Sequence, residues 1–244
     1  MANDLPVAVT NVPHWRVNFR PGQYREDLIG SLEEAFHVIE QTKVSLRGWD
    51  YPHLSRRDTE RSFGNNWIAS WSDFGGHLEY WRLYQSGQFL HLFSVRESTE
   101  TAWRQKLEND TKMHLRHMRD VDWQTVPGFI SIINFLYTVT EIFEFAARLC
   151  ARRIYQGELT ITVELKGVRA FVLTTDWDRA WHSYCAATED KLGRSWSVRS
   201  DLLLSESSEH SLKAVVWFFE RFGWLKPSVD VLRKDQQQFL KRRA

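Results

Sequence analysis

The sequence predicts an α+β fold, in which antiparallel hairpins pack against several amphipathic helices and one long apolar core helix. Two segments of alternating apolar residues each turn back near a glycine, one at Gln85-Ser86-Gly87-Gln88 and one at Gly167. A helical pattern over about 128–154 lacks charge in its first half, which is typical of a buried helix. Because hairpins are separated by helices, an antiparallel sheet is favoured over a doubly wound parallel one.

The first half of the chain is predicted to begin with a flexible arm at 1–13, which carries Asn, Asp and two Pro residues. Strands are predicted at 14–19, 43–46, 67–71, 78–84 and 89–95. Pro21-Gly22 ends the first strand. Helices are predicted at about 23–42, where apolar residues recur on one face, and at about 99–119, which is polar.

The second half is predicted to hold the long helix at about 128–154, a second hairpin and three further helices. In the hairpin, apolar and polar residues alternate from Leu159 to Leu165, Gly167 makes the turn, and Val168–Leu173 returns. The further helices are predicted at 176–190, at about 208–222, and from Pro227 towards Lys241.

Length and composition suit one domain over residues 1–244, with a weak boundary near 120–127 as the alternative. Twelve Trp and fifteen Phe residues predict aromatic packing, aromatic-lined grooves, or both. The formal net charge of +1 gives no general attraction to nucleic acid or to an anionic membrane.

Cysteine use and the N-terminal sequence predict a cytoplasmic protein. Cys150 and Cys185 are the two cysteines, and a pair without a disulfide framework fits a reducing compartment. The N-terminal residues do not form a signal-peptide pattern. The uncharged run from Phe129 to Val139 is too short to span a bilayer, so no membrane association is expected.

The segment Arg47–His53, with the sequence RGWDYPH, concentrates charged, aromatic and hydrogen-bonding groups more than any other window. Its glycine and proline keep the backbone out of a helix. The candidate ligand-binding residues are Arg47, Trp49, Asp50, Tyr51 and His53. The arginine suits a bidentate anion, the aspartate can orient the histidine, and the aromatic rings can stack on a planar ligand. The alternative is a structural loop whose aspartate and arginine pair with each other.

The first hairpin supplies two more ligand-binding candidates, Arg82 and His91. Glu79, Trp81 and Leu83 share one face of their strand, and Arg82 lies on the other face. If the hairpin closes as predicted, His91 lies near Arg82 or Tyr84, and it can form a catalytic or metal pair with His53. The alternative is a half-buried aromatic sheet. Since no two ligands have metal-site spacing, neither a metal nor another cofactor is predicted.

Arg56, Arg57 and Arg61 are the nucleic-acid-binding candidates, because three clustered arginines can bind phosphates. Solvated surface charge is the alternative reading of this cluster.

Two short motifs of nucleic-acid enzymes also occur. Glu164-Leu165-Lys166 matches the E-x-K element of restriction-type nucleases, but the chain has no Asp between Asp122 and Asp176 to complete that site. Arg47 and His53 have the R-x5-H spacing of an RNA-cleaving motif, but the glycine and proline between them prevent the helix start it needs. P-loop, G-x-S-x-G and H-E-x-x-H motifs do not occur, which disfavours the common hydrolase classes.

Two stretches, Val44–His53 and Glu79–Phe89, resemble an uncharacterised group of bacterial proteins. That group shares an R-G-W-D-[YF]-P-H segment and a W-R-x-Y-x-S-G-Q-F hairpin, and the similarity covers roughly residues 14–95. Some members look like fusion proteins that also contain a Schlafen-type AlbA DNA-binding domain. That domain has no recognisable counterpart in this chain. The resemblance implies a setting in bacterial regulation or phage defence.

The sequence therefore predicts a non-catalytic sensing or interaction module that works with a protein partner or effector. The excess of Trp and the lack of a complete catalytic set favour this function. The alternative is an enzyme that acts on nucleic acid or a nucleotide, with Arg47, Asp50, His53 and His91 around one cleft. A direct nucleic-acid binder that uses Arg56, Arg57 and Arg61 is the third possibility.

Overall fold

A computed structural model describes residues 5–55, 57–118, 121–175, 179 and 181–241 of the chain. Within these residues the chain forms seven α-helices and eleven strands. The helices are α1 (Leu5–Thr10), α2 (Leu32–Thr42), α3 (Arg96–Thr99), α4 (Thr101–His114), α5 (Ile132–Ala151), α6 (Ser200–Arg221) and α7 (Val229–Lys241). The strands are β1 (His14–Pro21), β2 (Val44–Ser45), β3 (Asp50–Tyr51), β4 (Arg61–Phe63), β5 (Trp67–Phe74), β6 (His77–Tyr84), β7 (Phe89–Ser94), β8 (Phe129–Ser131), β9 (Glu158–Lys166), β10 (Val172–Thr174) and β11 (Lys191–Arg199).

Seven strands form one antiparallel sheet in the order β11-β9-β1-β7-β6-β5-β4. Two small sheets lie beside it: β2 pairs with β3 antiparallel, and β8 pairs with β10 in parallel. The predicted α+β class, with antiparallel strands and packed helices, is therefore confirmed.

One face of the large sheet carries the core because apolar residues alternate along its strands. Trp15, Val17 and Phe19 of β1 belong to the main hydrophobic cluster, together with the apolar residues of α5 and α6. On the opposite face, Val9 of α1 packs against Ala69 in a smaller cluster. The N-terminal arm is thus wrongly predicted from residue 5 onwards, because a buried valine fixes a short helix; residues 1–4 lie outside the described part.

The first predicted hairpin is confirmed. β6 and β7 pair with Trp81 opposite His91, and Tyr84 accepts the returning backbone N–H of Gly87 through its carbonyl oxygen at 2.9 Å. Gly87 has φ of 77°, a conformation that glycine adopts without steric cost.

The second predicted hairpin is wrong. β9 pairs with β1 on one side, and the strand on its other side is β11, in which Lys191 lies opposite Lys166. Segment 168–173 instead packs into the core, where Val168, Phe171 and Leu173 are buried, and its last residues join β8. The edge of β9 accepts β11 because Leu192 and Val198 alternate inward there, a strand pattern that the sequence analysis missed.

The helix predicted at 176–190 is also wrong for the residues that are described. Residues 181–190 hold one isolated bridge, Val172 to Ala186, and Leu173 donates its backbone N–H to the carbonyl of Cys185. These pairings with 170–173 replace the hydrogen bonds that a helix would form. Residues 176–178 and 180 lie outside the described residues.

Several predicted helices exist with different ends. The helix predicted from residue 23 begins only at Leu32, because Ser31 caps it by accepting a hydrogen bond from the Glu34 backbone N–H at 3.0 Å. The polar helix predicted at 99–119 divides at Glu100 into α3 and α4 and ends at His114. The helices predicted from 208 and from Pro227 are present as α6, which starts at Ser200, and α7.

The long helix predicted at 128–154 is confirmed as α5, although residues 129–131 before it form strand β8. Ser131 caps α5 by accepting the backbone N–H of Asn134 at 3.1 Å. Phe135 lies in the centre of the core, and its ring contacts the rings of Trp15 and Phe219. Cys150 and Cys185 are free and buried. No helix among the described residues combines the length and apolar character needed to cross a membrane.

Candidate ligand-binding cavity

The segment Arg47–His53 follows a very short hairpin. Val44 and Ser45 of β2 pair with Tyr51 and Asp50 of β3, so the chain turns back within four residues. Gly48 lies in this turn with φ of 78°, a conformation that a larger side chain would adopt only with strain. The glycine therefore allows the turn that presents Arg47 and Trp49 to the sheet.

A cavity of about 530 Å³ lies between this loop, the β6–β7 hairpin and the helices α3 and α5. Five of the seven predicted ligand-binding residues line it: Arg47, Trp49, Asp50, Tyr51 and His91. The loop thus faces a cleft beside the hairpin, and the volume is that of a small-molecule site.

Glu79 of β6 fixes the loop to the hairpin. Its carboxylate accepts hydrogen bonds from the His53 backbone N–H at 2.7 Å, from Nε1 of Trp49 at 3.3 Å and from Nε2 of His91 at 2.9 Å. Nε2 of His77 lies 3.5 Å from the same carboxylate. Burial alone would raise the pKa of Glu79, but the charges and hydrogen bonds of His91 and His77 outweigh it and lower the pKa.

Arg47 fixes the loop to α5. Its guanidinium binds both carboxylate oxygens of Glu141, and it also donates hydrogen bonds to the side chains of Asn134 and Thr138. The N–H donors of the Arg47 guanidinium bind acceptors of the chain itself, so Arg47 is not the bidentate anion receptor that the sequence suggested. That prediction is corrected: its anionic partner is Glu141 of the same chain.

Glu97 of α3 is the carboxyl group of the cavity that binds no cation among the described residues. Its Oε1 accepts hydrogen bonds from Nδ2 of Asn134 at 2.8 Å and from the backbone N–H of Ser131 at 3.4 Å, and the backbone N–H of Glu97 itself is a further donor to the carboxylate. The side chain is buried, and this burial raises the pKa of Glu97.

Three more residues of the lining carry polar atoms without partners. The hydroxyl of Tyr51, Nδ1 of His77 and Nδ1 of His91 are buried, and none has a hydrogen-bond partner among the residues that the structure describes. Because a carboxylate only accepts hydrogen bonds, the hydrogen shared with Glu79 belongs to Nε2 of His91. In a neutral ring, Nδ1 is then an acceptor.

The predicted pairing of Asp50 with His53 is not observed. The Asp50 carboxylate binds Nζ of Lys43 at 2.7 Å and accepts a hydrogen bond from the Ser45 hydroxyl. Burial opposes its ionisation, but these two hydrogen bonds hold the pKa of Asp50 below its ordinary value. Lys43 is the closer partner because β2 and β3 bring residues 43–45 alongside residue 50.

His53 and His91 do not share the cavity. The His53 ring stacks on Trp49, with ring centroids 4.0 Å apart, and lines a second cavity of about 580 Å³ on the other side of that indole. Burial lowers the pKa of His53. The predicted His53–His91 pair is therefore wrong, because the His53 ring stacks on Trp49 and lines the second cavity, whereas His91 lines the first.

Arg82 lies on the opposite face of the sheet from His91, so the predicted contact between them is also wrong. Its guanidinium stacks over the Trp67 ring at 4.0 Å and donates hydrogen bonds to the hydroxyls of Tyr80 and Tyr84. The cause is the strand register, in which Arg82 is opposite Leu90 and the odd-numbered residues face the core.

The predicted basic cluster is bound within its own segment. Arg57 pairs with Glu60 at 3.0 Å, and Arg61 donates a hydrogen bond to the carbonyl of Ser55 at 2.9 Å. Arg56 lies outside the described residues. Of the described residues that line the central cavity, Arg47 and Arg96 are the arginines, so this cluster forms no part of it.

The sequence analysis missed Glu97, Asn134 and Glu141 as members of the site. A signal existed for part of this set: Asn134, Thr138 and Glu141 follow one another at intervals of four and three residues in an apolar helix, which places them on one face. Glu97 carried no such signal, because its partner Asn134 is far away in sequence.

Among the described residues, no group of three or more His, Cys, Asp or Glu side chains is arranged to hold a metal ion. Comparisons with protein-family models, with curated proteins and with solved structures give no significant match.

Proposed function

We propose that this chain is a sensing module that binds a small molecule in the central cavity. The observation that carries the proposal is the cavity of about 530 Å³ beside Tyr51 and His91, whose buried polar atoms have no partner in the described part of the chain. An unpaired buried polar group costs about 1–3 kcal/mol, so a ligand that pairs with it gains affinity. Because buried polar groups in folded proteins are nearly always hydrogen-bonded, a bound molecule that pairs with these groups would account for them.

The same geometry favours binding over catalysis. The enzyme alternative requires Arg47, Asp50, His53 and His91 around one cleft, but Arg47 is bound to Glu141 and Asp50 to Lys43. The His53 ring faces the second cavity. A catalytic base has to lie within hydrogen-bond reach of the others, and this set does not converge.

A ligand in the cavity would contact three separate elements at once. The loop is held to β6 through Glu79 and to α5 through Arg47, while α3 is joined to α5 by the Glu97–Asn134 hydrogen bond. A ligand that contacts these side chains stabilises one conformation of the loop relative to others. Binding can in this way change the surface that a partner protein recognises. The resemblance of residues 14–95 to a bacterial protein group supports a role in regulation or phage defence, with an effector as the partner.

One observation favours an enzyme as the second candidate. Glu79 accepts a hydrogen bond from Nε2 of His91, which leaves Nδ1 as a potential base. A carboxylate that orients a histidine is also part of catalytic triads, although there it binds Nδ1 and Nε2 is the base. The acidic lining opposes the nucleotide or nucleic-acid substrate that this candidate was first given, because phosphate would meet several carboxylates.

Blocking the cavity tests the proposed function. Ile133 is half-buried in the lining, so Ile133→Trp adds an indole there. Ala151→Trp adds the same group at the exposed end of α5 and serves as the matched control. A fragment set with equal numbers of cations, neutral compounds and anions is titrated against the 15N-labelled full chain, and the tryptophan indole signals are followed.

We expect some fragments to shift the indole signals of the unchanged chain and of Ala151→Trp, and to bind Ile133→Trp at least about tenfold more weakly, because the added ring removes contact area. Binding that is equally strong in Ile133→Trp, or no binding by any charge class, would overturn the proposal.

A further inference from the structure

The charges that line the central cavity are unequal. Its lining contains five carboxylates against two arginines, and the five are Asp50, Glu79, Glu97, Glu100 and Glu141. Both arginines are already paired, since Arg47 binds Glu141 and Arg96 binds Glu100 at 2.6 Å. The cavity therefore offers an anion no described arginine that is not already bound to a carboxylate.

Four of the five carboxylates have cationic or imidazole partners within the chain. Besides the two arginine pairs, Asp50 binds Lys43, and Glu79 binds His91 and lies near His77. Glu97 is the exception among the described residues: its hydrogen-bond partners are the amide side chain of Asn134 and the backbone N–H groups of Ser131 and of Glu97 itself, and none of them is a cation.

Unpartnered groups of the lining can also accept hydrogen bonds. Nδ1 of a neutral His91 is an acceptor when Nε2 donates to Glu79, and the Tyr51 hydroxyl accepts as well as donates. A ligand with N–H donors can pair with the Tyr51 hydroxyl, and with Nδ1 of His91 when that ring is neutral. Carboxylates bind charged donors more strongly than neutral ones, so a positive charge suits the carboxylate of Glu97 best.

Aromatic rings form a further part of the lining, among them Trp49, Phe74, Trp103 and Tyr137. Trp103 already attracts cations, because Arg96 and Lys106 both lie over its ring, at 5.5 and 5.7 Å from the centroid. Rings of this kind bind a flat apolar group by stacking and a cation through the ring face.

From these contacts we infer that the cavity binds a small aromatic molecule with an amidinium or primary ammonium group, and that the charged group binds the carboxylate of Glu97. This inference rests on the proposed function, since it names the ligand class of the same cavity. It selects a cation over the nucleotide that the sequence left open.

Five probes that differ in charge test the inference: benzamidine, benzylamine, benzyl alcohol, phenylacetate and adenosine monophosphate. Each is titrated into the full chain, into Glu97→Gln and into Glu33→Gln. The glutamine at 97 can still accept both hydrogen bonds through its oxygen, so the variant removes the charge and keeps the local contacts. Glu33 is exposed on α2 outside the lining, and its variant controls for the loss of one negative charge.

We expect benzamidine and benzylamine to bind the unchanged chain and Glu33→Gln equally. In Glu97→Gln the dissociation constant should rise about tenfold or more, because a charge-assisted hydrogen bond is lost. Benzyl alcohol, phenylacetate and adenosine monophosphate should bind more weakly than the cations in every case. The comparison between probes in the unchanged chain needs no variant, so it decides the matter even if Glu97→Gln folds poorly.

Three results would overturn the inference. One is phenylacetate or adenosine monophosphate binding at least as tightly as benzamidine, and the second is affinity for cations that Glu97→Gln leaves unchanged. In both cases Ile133→Trp shows whether the compound still occupies the cavity, and a loss of binding there leaves the proposed function standing. The third is no binding by any of the five probes; the broader fragment titration then decides the proposed function separately.

Discussion

Glu79 and Glu97 are two buried carboxyl groups of one cavity, and their environments shift their pKa values in opposite directions. Both groups lose water on folding, which raises the pKa of each. Glu79 is compensated by His91 and His77, and its pKa falls below the ordinary value. Glu97 has an amide and a backbone N–H as partners, and its pKa stays raised. The two histidines thus favour the ionised form of Glu79, whereas burial favours the protonated form of Glu97.

Replacing each of these residues by glutamine should change the free energy of unfolding in opposite directions. The raised pKa of Glu97 means that the unfolded state ionises first as pH rises. The contribution of Glu97 to the stability of the unchanged chain is therefore fully present below the pKa of the unfolded state. It is lost as the pH rises through the pKa of the folded state. Glu97→Gln cannot ionise, so it should gain stability relative to the unchanged chain as the pH rises from the unfolded pKa of Glu97 through its raised folded pKa. The gain should be about 1.4 kcal/mol for each unit by which the pKa is raised.

The lowered pKa of Glu79 gives the reverse sign. Its contribution is present above the unfolded pKa and is lost as pH falls through the folded value. Glu79→Gln should therefore lose about 3–5 kcal/mol at pH 7, since it leaves the partners of a buried charge uncompensated. The loss should shrink in acid. Urea unfolding of the three proteins across the pH range measures both effects, and changes of the same sign at pH 7 would contradict the contrast.

Some of the site was predictable from sequence because its positions follow from local periodicity. The period of two along β6 places Glu79 on the same face as Trp81, and the register of the hairpin adds His91 to that face. The use of Arg47 was not predictable, since its partner Glu141 is 94 residues away in the chain. Ion pairs between distant segments depend on how helices pack, and no local pattern records that.

At the scale of the element, α5 is both the centre of the core and one wall of the cavity. Its apolar faces pack against the sheet and α6, and the stripe that contains Asn134, Thr138 and Glu141 lines the cavity. A helix that is apolar on most of its surface is expected to be buried, and the polar stripe is stable there because Arg47 and Glu97 pair with it.

Phe135→Ala should destabilise the protein by about 3–5 kcal/mol, because the ring is 1 % exposed and its removal leaves a cavity in the centre of the core. Leu225→Ala is the matched control: that side chain is 74 % exposed, so its loss should cost less than about 0.5 kcal/mol. Chemical unfolding gives both values. A cost below about 1 kcal/mol for Phe135→Ala would mean that the aromatic contacts of α5 do not determine stability.

Elements closed by a local turn were predicted well, and those closed by distant segments were not. The β6–β7 hairpin was found because its four-residue turn contains Gly87 and its strands alternate. Gly167 gave the same turn signal, with φ of 74°, but the chain leaves the sheet after it and β11 takes the place beside β9. A glycine indicates where the chain turns. Which strand then pairs with the free edge of β9 depends on residues distant in the sequence.

At the scale of the molecule, the order of strands in the sheet joins the two halves of the sequence. β1 lies between β7 and β9, so residues 14–21 pair both with residues before 120–127 and with residues after that segment. The main hydrophobic cluster likewise contains Trp15 and Phe239. The single-domain prediction remains a prediction, but this topology tells what separation at 120–127 would cost: one edge of β1 and the apolar face of α5 would become exposed to water.

The full chain should therefore unfold in one cooperative transition. Tryptophan fluorescence, which reports residues spread over both halves, and far-ultraviolet circular dichroism should give the same midpoint in urea. Val17→Ala makes the test sharper, because Val17 is fully buried at the centre of β1, between His91 and Val163. Its smaller side chain weakens contacts with both halves, so it should lower the two midpoints by the same amount. If Val17→Ala moved one probe alone, or if the unchanged chain showed two separate transitions, the halves would be independent units and the boundary near 120–127 would be real.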